Sequence, residues 1–538
     1  MTHPSLSRRH LLQLAAASAS ALWLPRSAWS QPRIGSNPFT LGVASGSPLH
    51  DSVVLWTRLL PADINSLGTE SVTVRWELAH DEQFKRVAHS GQAQATAQLG
   101  HSAHVEVGGL EPDRWYFYRF MLGGSNDGVG NDWVSPTGRT RTLPVPDAPA
   151  SSLRLAYASC QRWEHGHYSA WRHMQAEQLD LVLFLGDYIY EYAGAQNAVR
   201  PVTGGFTVSL ADYRARYALH KSDAALQGAH AMCPWLVTWD DHEVQNDYAT
   251  LQAGTGGPEV ADFAARRDAA YQAYYEHMPL RASVLTRALQ STVSGSEMRI
   301  YNQVRFGKLA NLYLLDNRQY RDPPVCTQGG KLGSSTVKVE DCKAWSDPAR
   351  SQLGMVQERW LDDAFSRADT SKNAGWNVLG QQSLLGRRDF ETGPGTTMWN
   401  DGWDGYSAAR NRLTGSMQKN RLSNAVVLGG DVHENWVGHV KTDYDKPGSE
   451  SVGVEFCGTS ITSRAFPGGH EKIPEYLAEN PHFVFADAKA KGYGVAHFTP
   501  DKLTTTLRAV SDVTRQDASI QTLAKFEVKA GLSLVEIA

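Results

Sequence analysis

Asp180-Leu181-Val182-Leu183-Phe184-Leu185-Gly186-Asp187-Tyr188-Ile189-Tyr190-Glu191 is the stretch that decides the fold class. An unbroken apolar run ending on Gly-Asp reads as a strand buried on both faces, which implies a parallel sheet covered by helices. Residues 153–158 read as a strand and 167–179 as an amphipathic helix, so the stretch closes a βαβ unit. Apolar runs at 235–238, 309–315, 376–379 and 425–428 continue the α/β pattern downstream. Upstream the pattern is all-β: 52–56, 72–78, 104–107 and 115–120 are short alternating runs between Gly, Pro and Asp turns, as in a β-sandwich. The proline-rich segment 143–150 is the expected boundary.

The chain has 538 residues, 41% hydrophobic and 20% charged, with 16 Trp and 20 Tyr. Such a chain is neither a single small module nor disordered. Net charge is −4, and −7 without the first 30 residues, which hold three arginines and no acid. That balance argues against nucleic-acid binding by bulk electrostatics; a small anionic substrate stays compatible, because local cations override surface charge. Arg8-Arg9, the apolar Ala-rich run 14–24 and Ala28-Trp29-Ser30 read as a twin-arginine export signal. No apolar run reaches the ~18 residues of a membrane span. The expected product is a monomer without a stable membrane anchor, periplasmic or secreted through the twin-arginine translocation machinery. Five cysteines leave at least one outside disulfides. Cys326 and Cys342 flank a Gly/Ser-rich loop and are the expected pair; Cys233 and Cys457 are expected to be buried apolar residues.

Open α/β sheets gather ligands at the carboxyl ends of their strands. Four predicted strand ends carry Cys160, then Asp187 with Tyr190, then 240–247 with His242 and Asn246, and finally Asp431 with His433. Taken singly, each has an ordinary structural reading: a buried cysteine, a helix-capping aspartate, a solvated acidic helix start. Together they supply what a two-metal site needs, a bridging carboxylate with imidazole and amide ligands beside it. Asp187 is the natural bridge. A thiolate and a phenolate on one ion favour a trivalent Lewis acid, iron first, although ligand softness also admits zinc.

The order Gly186-Asp187, Asn246, Gly430-Asp431-Val432-His433 resembles the calcineurin-like metallophosphoesterases. Residues 186–191 together with Trp239-Asp240-Asp241-His242-Glu243-Val244 are similar to the alkaline phosphatase D (PhoD-like) family, and further blocks at 38–47, 53–59, 316–321, 403–406 and 458–463 extend the likeness over nearly the whole chain. The corner 110–116 resembles that of a fibronectin type III domain. The resemblance implies a four-layer metallophosphoesterase α/β sandwich (149–538) after a signal (1–30) and a small fibronectin III-like β-sandwich (31–148). It implies Fe3+ held by Cys160, Asp187, Tyr190 and His433, and one or two Ca2+ held by Asp187, Asn246 and Asp431, with the division of the last two left open.

His242 is expected beside the phosphoryl group, as a hydrogen-bond donor or leaving-group acid, or else as a loop holder through Asp240 or Asp241. Arg318 is expected either as a phosphate clamp or as an ordinary ion-pair former, and Trp403 and Tyr406 as pocket walls or core. About 170 residues between Asp247 and the strand at 425 are more than the fold needs, so part of them is expected to form a lid or substrate surface. The segment 506–538, with a helical pattern at 518–529, is expected to cover the site or pack on the surface. The expected activity is hydrolysis of small phosphate esters, monoesters and then diesters, by metal-activated hydroxide, for phosphate scavenging. The rivals are a phosphodiesterase or phospholipase-like enzyme on lipid or polymer, and a non-catalytic surface binder. A haem or flavin protein is disfavoured, because neither C-x-x-C-H nor G-x-G-x-x-G after a strand is present.

Overall fold

The computed structural model describes residues 34–123, 133–287, 297–327, 332–368, 375–446, 448–465 and 468–538; the export-signal reading lies outside them. Two large sheets stack face to face. In the first, Leu153–Ala158, Leu181–Phe184 and Trp235–Val237 run parallel, with Val182 opposite both Ala156 and Trp235. The second sheet places Ala310–Leu314, Trp376–Gly380, Ala425–Gly429 and Ser451–Cys457 side by side, also parallel.

The two-residue alternation of the strands fills three separate layers of contacts. Leu181, Leu183 and Leu185 point between the sheets at Leu314, Val378, Val426 and Leu428. Val182 and Phe184 point the other way, under the helices Ser169–Met174, Leu210–Lys221 and Phe263–His277. On the far side, Leu379 and Val427 meet Leu361, Phe365 and Leu413 of the helices Met355–Ser366 and Ser407–Lys419. The result is helix, sheet, sheet, helix, the four-layer α/β arrangement. Sheet contact is close at Gly380, where an added Cβ would lie 2.8 Å from Leu183.

The N-terminal strands make a sandwich around Val53, Leu55, Val74, Leu78, Tyr116 and Phe120. At its corner the Glu111 amide donates to Tyr116 Oη at 3.0 Å. One of the two layers is not separate: Val43–Gly46 pairs in parallel with Trp235, so three N-terminal strands extend the first large sheet to ten.

The remaining expectations fare unevenly. The helix at 167–179 is cut to Ser169–Met174, the chain turning at Gln178 with φ 52°. The helical reading of 518–529 is wrong. Ile520–Lys529 is a strand between Lys502–Val510 and the short edge strand Glu536–Ile537 of the first sheet. A bulge skips Leu523, giving Ile520, Leu523 and Phe526 a spacing of three, while Phe526 and Val528 enter the inter-sheet core. Most of the insertion is framework rather than lid, since it supplies three strands of the second sheet and its covering helices. Cys326 and Cys342 form a disulfide, and Cys160, Cys233 and Cys457 are free and buried. Among the described residues no helix is long and apolar enough to cross a membrane.

Candidate metal centre

The strand ends of both sheets open on one side, and local backbone brings them together. Gly186 has φ 104°, and a Cβ there would sit 2.5 Å from Asp240 Cβ, so only glycine lets these two strand ends touch. Glu243 ties them: its carboxylate accepts the amides of Asp187 (3.0 Å), Asp240 (2.8 Å) and Tyr188 (2.5 Å). The Cys160 amide donates to the Gly186 carbonyl at 3.1 Å, adding the third strand end. Cys160, Asp187, Asp247, Asp431 and His433 all have φ between 58° and 67°, a left-handed conformation uncommon for any residue but glycine. Strained backbone at the residues that present ligands is a common mark of a functional site.

Two groups of donors result. In the first, the ligand atoms of Cys160, Asp187 and His433 lie within 4.8 Å of one another. Tyr190 joins them, its Oη donating to Asp187 Oδ2 at 2.8 Å and lying 3.2 Å from His433 Nε2. His433 Nδ1 lies 2.9 Å from the Arg464 carbonyl, which can only accept. Nδ1 therefore carries the proton, and the Nε2 lone pair faces the group. The second group is Asp187, Asp240, Asp241 and Asp431, again within 4.8 Å, with Asp187 common to both. Two further clusters share these residues, Asp187 and Asp241 with His242, and Asp241 with Asp247 and Asp401.

These carboxylates are too crowded to be stable as bare anions. Burial pushes Asp187 and Asp431 well above the usual carboxylate range, with neighbouring aspartates adding to it. Asp240 and Asp247 are pushed up to about 6, burial again leading. Asp241 is the exception: burial opposes ionisation, but Arg318 and His242 hold it low. Asp187 Oδ1, Asp240 Oδ2 and Asp241 Oδ1 are buried without a hydrogen-bond partner. Orphaned oxygens of this kind are costly unless a cation takes them, and the thiol, phenol, imidazole and carboxylates around Asp187 suit one.

His242 takes neither of the neighbours expected to hold it. Its Nδ1 lies 2.7 Å from Glu191 Oε2, a carboxylate buried with 0% exposure, and the ring packs between Tyr190 and Tyr192 at centroid distances of 4.1 and 5.2 Å. Nε2 is thus the free nitrogen. Glu191 also accepts the Asn246 amide at 2.7 Å, while the Asn246 side chain donates to Thr255 Oγ1 at 2.8 Å.

Arg318 is placed as an ion-pair former and not as an open clamp. It is 1% exposed and bonds Asp240 through Nε and Asp401 through Nη1 (2.6 Å), because three buried aspartates and the half-buried Asp431 surround it. Trp403 and Tyr406 are core aromatics beside Leu413 and Met417. One part of the insertion does reach the site, where Ser334 donates to Asp247 from its amide (2.9 Å) and hydroxyl (2.8 Å). Glu191, Glu243 and Asp401 are additions to the sequence reading. The first two stand inside the quoted acidic motifs, whereas Asp401 carries no local signal.

Known proteins of similar sequence and structure give the family. The PhoD-like phosphatase family matches residues 155–507, and its N-terminal domain matches 25–144. Alkaline phosphatase D of Bacillus subtilis (strain 168) is 43% identical over 505 residues, spanning 92% of this chain and 81% of that protein. A solved structure of PhoD superposes with a TM-score of 0.84 at 41% identity, covering 94% of this chain and 93% of the other. Site, fold and relatives converge: the chain belongs to the PhoD-like phosphatase family and is a phosphoric ester hydrolase.

Proposed function

We propose that this is an exported, metal-dependent phosphoesterase that hydrolyses phosphomonoesters first and diesters second, releasing phosphate from organic esters outside the cytoplasm. The observation that carries the reading is Asp187, buried at 1% exposure, shared between both donor groups and keeping Oδ1 without a partner. In this reading Cys160, Asp187, Tyr190 and His433 hold a ferric ion. Asp187, Asp431 and the flanking acids and amide, Asp240, Asp241 and Asn246, hold calcium, a hard cation suited to carboxylate oxygens. When bound, such ions polarise phosphoryl oxygens and make water a competent nucleophile near neutral pH.

The chain's own groups then do the rest. Glu243 fixes the two carboxyl-bearing strand ends. Glu191 accepts from His242 Nδ1 and, with Asp187 and Asp241, favours the doubly protonated ring against its burial, so that Nε2–H is presented where an ester oxygen could take its proton. Arg318 offsets the aspartates behind the site and is not spent on substrate. The proposed division of the chain, 1–30, 31–148 and 149–538, separates signal, sandwich and catalytic unit, although the sheet itself runs across the second boundary. Arg8-Arg9 and the apolar run that follows support export.

The test is hydrolysis of a monoester and a matched diester by protein produced with iron and calcium, beside Asp187→Asn. Turnover that the substitution abolishes, with loss of bound metal, is expected. Full activity in Asp187→Asn defeats the shared-ligand role, and a diester rate far above the monoester rate reverses the order of substrates.

A further inference from the structure

Next to its acidic half, the site has a rim of the opposite sign. Arg162 and Arg464 hang from one seam. The Arg162 amide donates to Ser463 Oγ at 3.1 Å, and that hydroxyl lies 2.8 Å from both the Cys160 carbonyl and Tyr190 Oη. The Arg464 carbonyl meets His433 Nδ1, and its amide donates to His165 Nδ1 at 3.1 Å. Lys491 Nζ donates to the His433 carbonyl at 2.7 Å. Four basic residues, Arg162, His165, Arg464 and Lys491, thus border the face formed by Cys160, Tyr190 and His433: Arg464 through its main chain, Lys491 through Nζ, and Arg162 with its guanidinium 5.7 Å from the Tyr190 ring centre.

Their charge is poorly matched by acids. Among the described residues, Arg464 and Lys491 have no carboxylate oxygen within 4.0 Å. Arg464 is exposed, and its guanidinium reaches only the carbonyls of Gln196 (3.0 Å) and Asn197 (2.7 Å). Arg162 pairs with Glu164 at 3.0 Å but keeps a buried Nε without a partner. The crowding is felt at His165, which burial first, and then Arg162, Arg464 and Lys491, push down to about 3. In a chain with net charge −4 this is a local concentration of positive charge, and an oxyanion among these groups would relieve it.

We propose that the rim is a second anion subsite. The preferred substrates are then phosphoesters whose alcohol portion carries a further phosphate group a few bonds from the scissile one, in place of simple alkyl phosphates. The inference rests on the phosphoesterase reading above and specifies its substrate class.

The experiment compares initial rates on propyl phosphate and propane-1,3-diyl bisphosphate, using the full metal-loaded chain at low and high salt. The bisphosphate KM is expected to be about tenfold lower, the worth of one good charge-assisted contact, with the gap closing as salt screens the rim. Arg464→Gln is expected to raise the bisphosphate KM about tenfold more than the propyl phosphate KM, and Arg464→Lys to restore most of the preference. Equal KM values in the unaltered enzyme overturn the subsite. So does an Arg464→Lys enzyme as impaired as Arg464→Gln, which would show that the side chain only secures the Gln196 and Asn197 carbonyls. Absence of turnover on either ester defeats the phosphoesterase reading beneath.

Discussion

Replacing Arg318 by methionine fills the same space and removes one buried positive charge, so its cost can be worked from the geometry. Arg318 bonds Asp240 and Asp401, and Asp241 and Asp431 lie 3.8 Å from it. Asp401 keeps Arg321 at 2.7 Å after the change, whereas Asp240 keeps no cation and its Oδ2 already lacks a partner. One orphaned carboxylate, the usual result of removing half of a buried pair, costs about 3–5 kcal/mol. Burial places Asp240 at about 6 even though Arg318 lowers it, so without Arg318 the value lies higher. Below about pH 6 Asp240 is protonated in both folded proteins. Above it, the unaltered protein ionises while the folded variant retains a proton that its unfolded chain has released. The variant's stability deficit therefore widens with rising pH, by up to about 1.4 kcal/mol per unit, until its own Asp240 ionises. The assay is urea unfolding of chelator-treated protein at several pH values on both sides of 6. A loss under about 1 kcal/mol well above pH 6, or a gap that narrows as pH rises, refutes the reasoning.

Three further substitutions probe other parts of the molecule. In iron-loaded protein, Tyr190→Phe is expected to remove the visible phenolate-to-iron absorption, and a colourless, fully loaded parent enzyme defeats the ferric assignment. Glu191→Gln is expected to lower kcat about 10–100-fold with little change in KM. Because Glu191, with Asp187 and Asp241, raises His242 against its burial, the alkaline limb of the pH profile should also move to lower pH; an unmoved limb shows that Glu191 has only a packing role. Joint replacement of Cys326 and Cys342 by serine opens a loop with a sequence separation of 16. The loss is expected to be about 3 kcal/mol, read from urea midpoints with and without reductant, and a reductant-sensitive variant would place the effect elsewhere.

The parts of the molecule that were legible in the sequence are those fixed by local pattern. A strand covered on both faces must be apolar at every position, and 181–185 is, so the sheet and the residues at its end could be read directly. The aspartates at 240 and 241 were visible as an acidic run, but their pairing with Arg318 was not, since the partners stand 78 residues away in the chain. Asp401, 83 residues from Arg318, was invisible for the same reason. The strand Ile520–Lys529 was misread because one bulge at Leu523 turns a period of two into an apparent period of three. The continuity of the N-terminal sandwich with the catalytic sheet rests on the single register Gly46 to Trp235, which no composition shift announces.

The unusual backbone and the unusual charges of this site make one argument. Cys160 and His433 sit at φ 60° and 58°, which costs of order 1–2 kcal/mol for each such residue. Asp187 and Asp431, also left-handed, are pushed toward protonation, burial being the first cause. A fold keeps such features only where surrounding structure over-determines them, and here the determinants can be named: the Glu243 clamp, the close contact at Gly186, the Arg318 ion pairs and a four-layer core that does not depend on the site. The frame therefore bears the cost in advance, holding donors at the spacing a cation needs instead of waiting for the cation to assemble them. Stripping the cations should then leave both sheets in place while the carboxylates take up protons, so that loss of activity precedes loss of fold.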